Sequence, residues 1–231
     1  MSAQQHTSIL GLNLEKGLDM KVITLVTQKG GSGKSTLCVS LAVAAHEAGH
    51  SVCILEMDRQ ATVTQWAKQR HGMDPEVAQI SADKLDGALT KLRTVDCEYV
   101  FLDTPGIDSP GTNLAIAASD LCLVPCRPTP ADLKGVAPTL GAIFRLEKDF
   151  AFVLNQTPPK GIRIKETAEG LSSLGVLADV NIVMRNDHQD AMGKGEGVTE
   201  FNPTGPAAEE IRKLWAWIDN RTKAIPHVKA A

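Results

Sequence analysis

Apolar residues in this chain collect in short runs set apart by longer stretches of mixed character. The runs begin near residues 21, 51, 98, 121, 151 and 180, and Val22-Ile23-Thr24-Leu25-Val26 is typical of them. Apolar segments this short, bounded by turn residues, read as strands covered on both faces. Between them the periodicity turns helical. Residues 37–48 form one such stretch, and after Pro206 the side chains of Ile211, Leu214, Trp215 and Ile218 recur at i, i+3, i+4 and i+7. Strand and helix in alternation predict an α/β fold, a doubly wound, mostly parallel sheet with helices on both faces. Right-handed crossovers then gather the strand tips that carry residues 30–36, 58 and 103 at one edge.

The connection after the first run changes the picture most. Residues 27–36 read Thr-Gln-Lys-Gly-Gly-Ser-Gly-Lys-Ser-Thr, set between a strand and a helix. Gly30, Gly31 and Gly33 remove the Cβ atoms that would keep a ligand off the backbone, so the N–H groups around Ser32 can turn inward as an anion nest. The nest opens into a helix N-terminus, where unpaired N–H groups and the positive end of the helix dipole favour phosphate. Lys34 is placed to reach the β- and γ-phosphates, and the hydroxyl of Ser35, next to Thr36, to ligate Mg²⁺. Spacing and context together point to a bound nucleotide.

The general phosphate-loop pattern has glycine where this chain has Gln28, and a second lysine, Lys29, lies inside the loop. This K-G-G-x-G-K-[ST] variant resembles the deviant Walker A loop of the ParA/MinD family of dimerising ATPases, with a likeness that runs, with gaps, from about residue 20 to 218. The resemblance implies a P-loop NTPase, Rossmann-like three-layer fold with ATP and Mg²⁺ as cofactors. It also implies that Lys29 crosses a homodimer seam to the partner's triphosphate, so that Lys29, Lys34 and Asp58 form the catalytic set. Asp58 stands with Glu56, Arg59 and Gln60 where the family has D-x-D-P-Q, and by resemblance it orients the attacking water. Residues 98–106 look like a Walker B strand and switch loop, with Asp103 beside Mg²⁺ through a water and Pro105-Gly106 sensing the γ-phosphate. Residues 119–132 resemble the family's A-D-L-V-L-I-P-x-x-P-[ST]-x-x-D segment, which places Pro128 and Asp132 near the nucleotide and the seam. Asn155 matches the position that reads the adenine edge.

The function that follows from this resemblance is partition or positioning of plasmid DNA, chromosome or a protein cargo by a short ParA-type ATPase. It would be cytoplasmic and nucleoid-associated, would hold non-specific DNA in its ATP state, and would hydrolyse ATP slowly under stimulation by a ParB-like or other adaptor. A membrane-cycling, MinD-like regulator of division-site placement is the alternative. A nucleotide-bound structural switch without turnover is a third reading.

Composition narrows these readings without choosing among them. With 231 residues, 43% hydrophobic and 22% charged, the chain is expected to hold one large domain, residues 20–222, between a flexible arm at 1–19 and a tail at 223–231. A net charge of −3 provides no global basic field for nucleic acid. DNA contact would need a local patch, such as Arg185 with Lys194, or Arg212, Lys213, Arg221 and Lys223. Five cysteines, an odd number, fit free thiols in a reducing compartment, and Cys38, Cys53, Cys122 and Cys126 lie in apolar runs as small core residues. Residues 46–50 match the H-E-x-x-H zinc pattern, but Gly49 is the expected helix stop and takes His50 off the shared face. No apolar run approaches the roughly 18 residues that span a bilayer. The stripe at 211–218, flanked by Arg212, Lys213 and Arg221, fits packing on its own domain, with a membrane surface as the other possibility.

Overall fold

The computed structural model of the chain describes residues 20–224; the expected arm at 1–19 and residues 225–231 of the expected tail lie outside the described residues. In chain order the elements are β1 (Lys21–Leu25), α1 (Lys34–Glu47), β2 (Val52–Glu56), α2 (Thr62–Gln69), β3 (Glu76–Gln79), α3 (Leu85–Thr94) and β4 (Tyr99–Asp103). They continue with α4 (Pro110–Ala118), β5 (Leu121–Cys126), α5 (Pro130–Gly135), α6 (Ala137–Arg145) and β6 (Phe150–Leu154). The last four are α7 (Ile162–Ser172), α8 (Asn186–Gly193), α9 (Val198–Phe201) and α10 (Pro206–Ala224). A short 3-10 turn, Ala82–Lys84, leads into α3.

The strands form one sheet in the order β3-β2-β4-β1-β5-β6, and every neighbouring pair is parallel. This is the doubly wound arrangement that the alternation of elements predicts. Side chains sort by the two-residue period of a strand. Ile23, Leu25, Ile54 and Phe101 point into a layer built from α1, α2 and α10, whereas Val22, Leu55, Val100 and Leu102 point the other way, toward α3. Val124, Phe152 and Leu154 continue that second layer beneath α6 and α7.

Helix α1 is buried along residues 37–45 without a polar face, because it lies between the sheet and α10. Ile211, Leu214, Trp215 and Ile218 supply the facing stripe and are themselves buried, so that stripe packs on its own domain. Gly49, at φ +93°, turns the chain after α1, and His50 packs edge-on to Tyr99 and Trp215. The two histidines of the H-E-x-x-H letters therefore do not share a helix face. All five cysteines are free, and Cys38, Cys97, Cys122 and Cys126 are buried.

Two strands differ from expectation. β3 was not foreseen, because it is a four-residue edge strand whose outer residues Glu76 and Gln79 are exposed, so its alternation is too short and too polar to stand out. The run near 180 forms no strand. Residues 176–184 instead follow β6 through single bonds, Phe152 N–H to Val176 O at 2.8 Å, Ile182 N–H to Leu154 O at 2.9 Å and Thr157 N–H to Ile182 O at 3.0 Å. The ladder breaks between them because β6 ends at Leu154 and Gln156 adopts a φ of +52°.

Candidate functional site

The C-terminal tips of the central strands set the frame. Strand register puts Leu25, Asp103 and Glu56 in one row across β1, β4 and β2. The chain leaves β1 into the glycine loop, where Gly31 and Gly33 hold φ of +77° and +84°. A Cβ on Gly33 would come 2.6 Å from Asn155 Nδ2 and 2.9 Å from Gln156 Nε2, so no larger residue fits there without displacing both amides. Those amides brace the loop: Asn155 Nδ2 donates to Ser32 O at 2.7 Å, and Gln156 Nε2 to Gly31 O at 3.3 Å. Gly106, in the loop after β4, packs so closely on Gly30 that a Cβ would meet its backbone and Lys34 Nζ at 3.3 Å.

Beneath the loop lies a buried, charged cluster. Lys34 opens α1 and points its ammonium back to Lys29 O at 3.5 Å. Burial lowers the Lys34 pKa from its ordinary value, against the pull of Asp103 and Asp58. Ser35 Oγ donates to Asp103 Oδ2 at 2.7 Å, while Asp103 Oδ1 is buried with no partner. Burial pushes the Asp103 carboxyl up to about 7; the Ser35 bond and Lys34 oppose that rise, and Glu56 and Asp58 add to it. A carboxylate with one bare oxygen, a neighbouring hydroxyl and too little positive charge fits a hard dication. Ser35 and Asp103 thus fit Mg²⁺.

Asp58 and Glu56 take different parts. Asp58 Oδ1 accepts from Gln60 N–H at 3.0 Å, and the residue lines an open cleft of about 970 Å³ with Gly30, Arg59, Pro105 and Gly106. Glu56 is fully buried, and its two oxygens accept from Val63 N–H, Thr64 N–H (both 2.8 Å) and the Thr64 hydroxyl (2.5 Å). Its extra methylene thus carries the carboxylate to the first turn of α2, whose start at Ala61 has no side-chain cap of its own. Both Glu56 oxygens are engaged in capping α2.

Lys29 stands on the rim, with Nζ 3.4 Å from Asp132 Oδ2. Asp132 is buried, also accepts from Arg127 Nε at 3.2 Å and from the Thr129 hydroxyl, and those bonds outweigh burial to hold its pKa below the ordinary value. Neither Arg127 nor Gln156 stood out in the sequence, although the Asn155-Gln156 pair was a visible signal for two bracing amides. The basic patches expected in the C-terminal third are largely neutralised. Arg185 faces Glu210, Arg212 faces Glu47, Lys213 faces Glu209, Lys223 faces Asp219, and Arg221 lies over Trp217.

Residues 23–204 match the CobQ/CobB/MinD/ParA nucleotide binding domain. The chain belongs to that family. Protein virC1 of Rhizobium radiobacter is 31% identical over 172 residues, 68% of this chain and 74% of that protein. Protein ParA of the same organism is 32% identical over 126 residues, covering 53% of this chain and 54% of its own length. The septum site-determining protein MinD of Pyrococcus horikoshii, solved complexed with Mg-ADP, matches with a TM-score of 0.70 at 16% identity over 90% of this chain and 100% of that one. Of the six buried side-chain polar atoms without partners among the described residues, four belong to residues at this edge of the domain. Ser32 Oγ and Asp103 Oδ1 lie at the loop, and Arg185 Nε and His188 Nε2 line a cavity of about 120 Å³ that also touches Gly33, Thr36 and Asn155. Buried polar groups are nearly always satisfied in folded proteins, so such a grouping marks where a polar ligand belongs.

Proposed function

We propose that the chain is a dimerising ATPase of ParA type that positions DNA or a protein cargo by nucleotide-switched, non-specific DNA binding. Its working domain is residues 20–222. One observation carries the reading: buried Lys34 and Asp103 lie under the glycine loop with half-buried Ser35 bonded to Asp103, while the second lysine, Lys29, stands outside, held by a single buried carboxylate.

In this reading the N–H groups of Gly30 to Gly33 and the start of α1 cradle the phosphates, and the Lys34 ammonium turns from Lys29 O to the β- and γ-oxygens. Ser35 directly, and Asp103 through a water, would hold Mg²⁺, which would supply positive charge against the phosphates. Asp58 orients water for in-line attack: the new bond joins water oxygen to the γ-phosphorus, the bond to the ADP oxygen breaks, ADP keeps its electron pair, and the water protons pass to the released phosphate and to solvent. Gly106 lies against Gly30 and Lys34, which lets the loop after β4 respond when the γ-phosphate leaves. Lys29 exchanges Asp132 for the phosphates of a second copy, with Arg127 left to balance Asp132. Asn155 donates one of its two amide hydrogens to Ser32 O and keeps its oxygen for the adenine.

The family's partition-type relatives favour nucleoid DNA over membrane as the surface that the ATP state grips. The buried stripe at 211–218 points the same way, since it offers no free apolar face. Lys134, Lys160, Arg163 and Lys165 are exposed, belong to none of the ion pairs among the described residues, and sit on or beside the packed helices α5 and α7. They are the cations we assign to DNA phosphates. A cytoplasmic, nucleoid-associated protein released by a ParB-like or other adaptor follows from this reading.

Sedimentation velocity with and without ATP and Mg²⁺ tests it, combined with pelleting on random-sequence plasmid DNA and on anionic liposomes. Wild type is expected to dimerise with ATP and then pellet with DNA, and Lys29→Ala to stay folded, monomeric and unbound. Normal dimerisation of Lys29→Ala removes the role given to Lys29. Retention on liposomes alone replaces DNA with membrane, and absence of turnover with DNA leaves a switch without catalysis.

A further inference from the structure

We infer that His188, paired with Arg185, selects the base, its neutral ring accepting a hydrogen bond from the 6-amino group of adenine and disfavouring guanine. The inference rests on the nucleotide-binding reading above. The cavity beside Gly33 and Thr36 holds about 120 Å³, well under the ~300 Å³ at which pockets for whole ligands begin, so it suits one ring system of a larger molecule. It opens next to the start of α1, where the phosphates would lie, and Leu37, Ile182 and Ile211 give it apolar walls.

Its polar groups are already sorted. One amide hydrogen of Asn155 is taken by Ser32 O, which holds that side chain against the loop. Arg185 Nη2 is held by Glu210 Oε1 at 2.6 Å, and the other Glu210 oxygen takes Val183 N–H at 3.0 Å, so one carboxylate of α10 fixes this wall. That leaves Arg185 Nε–H, a permanent donor, and His188 Nε2 as the two buried atoms without partners. Burial lowers the His188 pKa, against the pull of Glu210 and Asp187 and with help from Arg185, which favours the neutral ring; the inference takes its Nδ1–H tautomer, in which Nε2 accepts.

One donor beside one acceptor complements adenine, whose edge shows the N6 amino donor next to the N7 acceptor. Guanine shows two acceptors there, O6 and N7, and would set O6 against the His188 lone pair.

Competition against a fluorescent ATP analogue, on the full-length chain, tests this with four ligands: ATP, GTP, purine riboside triphosphate, which lacks only the 6-amino group, and inorganic tripolyphosphate. The wild-type protein should prefer ATP over the other two nucleotides by about 5- to 10-fold, the worth of one hydrogen bond. His188→Ala should reduce that preference to what the Asn155 oxygen alone supports and leave tripolyphosphate affinity unchanged, and His188→Gln, which keeps an acceptor at similar reach, should restore part of it. Equal wild-type affinity for ATP and purine riboside triphosphate overturns the inference with no variant needed. An unchanged ATP-to-GTP ratio in His188→Ala overturns it as well. Wild-type protein that binds neither ATP nor tripolyphosphate overturns the nucleotide reading itself, a result distinct from loss of base choice alone.

Discussion

At the phosphate end of the site, residues 29–36 follow one another along the chain, and a single carboxylate, Asp103, joins them from the neighbouring strand. At the base end, Gly33, Asn155, Arg185, His188 and Ile211 arrive from separate stretches and meet only because residues 176–184 track β6 through a broken ladder. The first end is shaped by local backbone, the left-handed φ of Gly31 and Gly33. The second is shaped by tertiary bonds, above all those of Glu210. Charge divides the same way. Burial disfavours both the Lys34 ammonium and the Asp103 carboxylate, whereas the Arg185 charge in the cavity is already balanced by Glu210. Substitutions at the first end should therefore change the binding of any triphosphate, and those at the second end only the choice among them.

The sharpest break of that contrast is Asp103→Asn. It should weaken Mg²⁺-dependent ATP binding by about 10- to 100-fold, the range of a lost charge-assisted contact, while the ATP-to-GTP ratio stays put. Calorimetric titration with and without Mg²⁺ measures both. Gly33→Ala comes next. A side chain at φ +84° and 2.6 Å from Asn155 Nδ2 should destabilise the fold by about 1–3 kcal/mol in urea unfolding and loosen both ends together, since Asn155 belongs to both.

Glu56→Gln should cost about 1–2 kcal/mol by removing the charge that caps α2, with nucleotide affinity unchanged within about twofold. A shift in Mg²⁺ affinity instead would place Glu56 at the metal.

The smallest effect is one of pH. Asp103 holds its proton up to about 7 in the folded chain, against 3.8 ordinarily, so the native state binds more protons between those values. Stability without nucleotide should fall as pH rises through that window, and Mg²⁺ affinity should rise over the same range because the proton competes with the metal. Asp103→Asn should flatten both profiles in thermal melts and Mg²⁺ titrations.

How much of this was legible in the sequence follows from the same division. The phosphate end could be read because its chemistry is contiguous: Lys29 to Thr36 state their backbone needs in glycines and their ligand in a lysine and a hydroxyl. The sheet could be read because β1, β2, β4, β5 and β6 are short apolar runs between helices. β3 could not, since half of it faces solvent, and the segment near 180 reads as a strand although Gln156 interrupts its partner. Arg185 looked like a surface cation and His188 carried no signal at all, because nothing local says that Glu210, 25 residues beyond Arg185, turns this stretch toward Asn155. The capping role of Glu56 was hidden for a related reason: a strand-end carboxylate faces both a metal site and the next helix, and only the extra methylene decides which it reaches.

Titration of Mg·ATP into the full-length chain, with Lys34→Ala beside wild type, bears most directly on the claim that the buried cluster under the glycine loop is a triphosphate site. One nucleotide per chain and at least about 10-fold weaker binding by the variant is the predicted result, given what a charge-assisted contact to phosphate is worth. Equal affinity in the two proteins, or a wild-type chain that takes up no nucleotide, would contradict it.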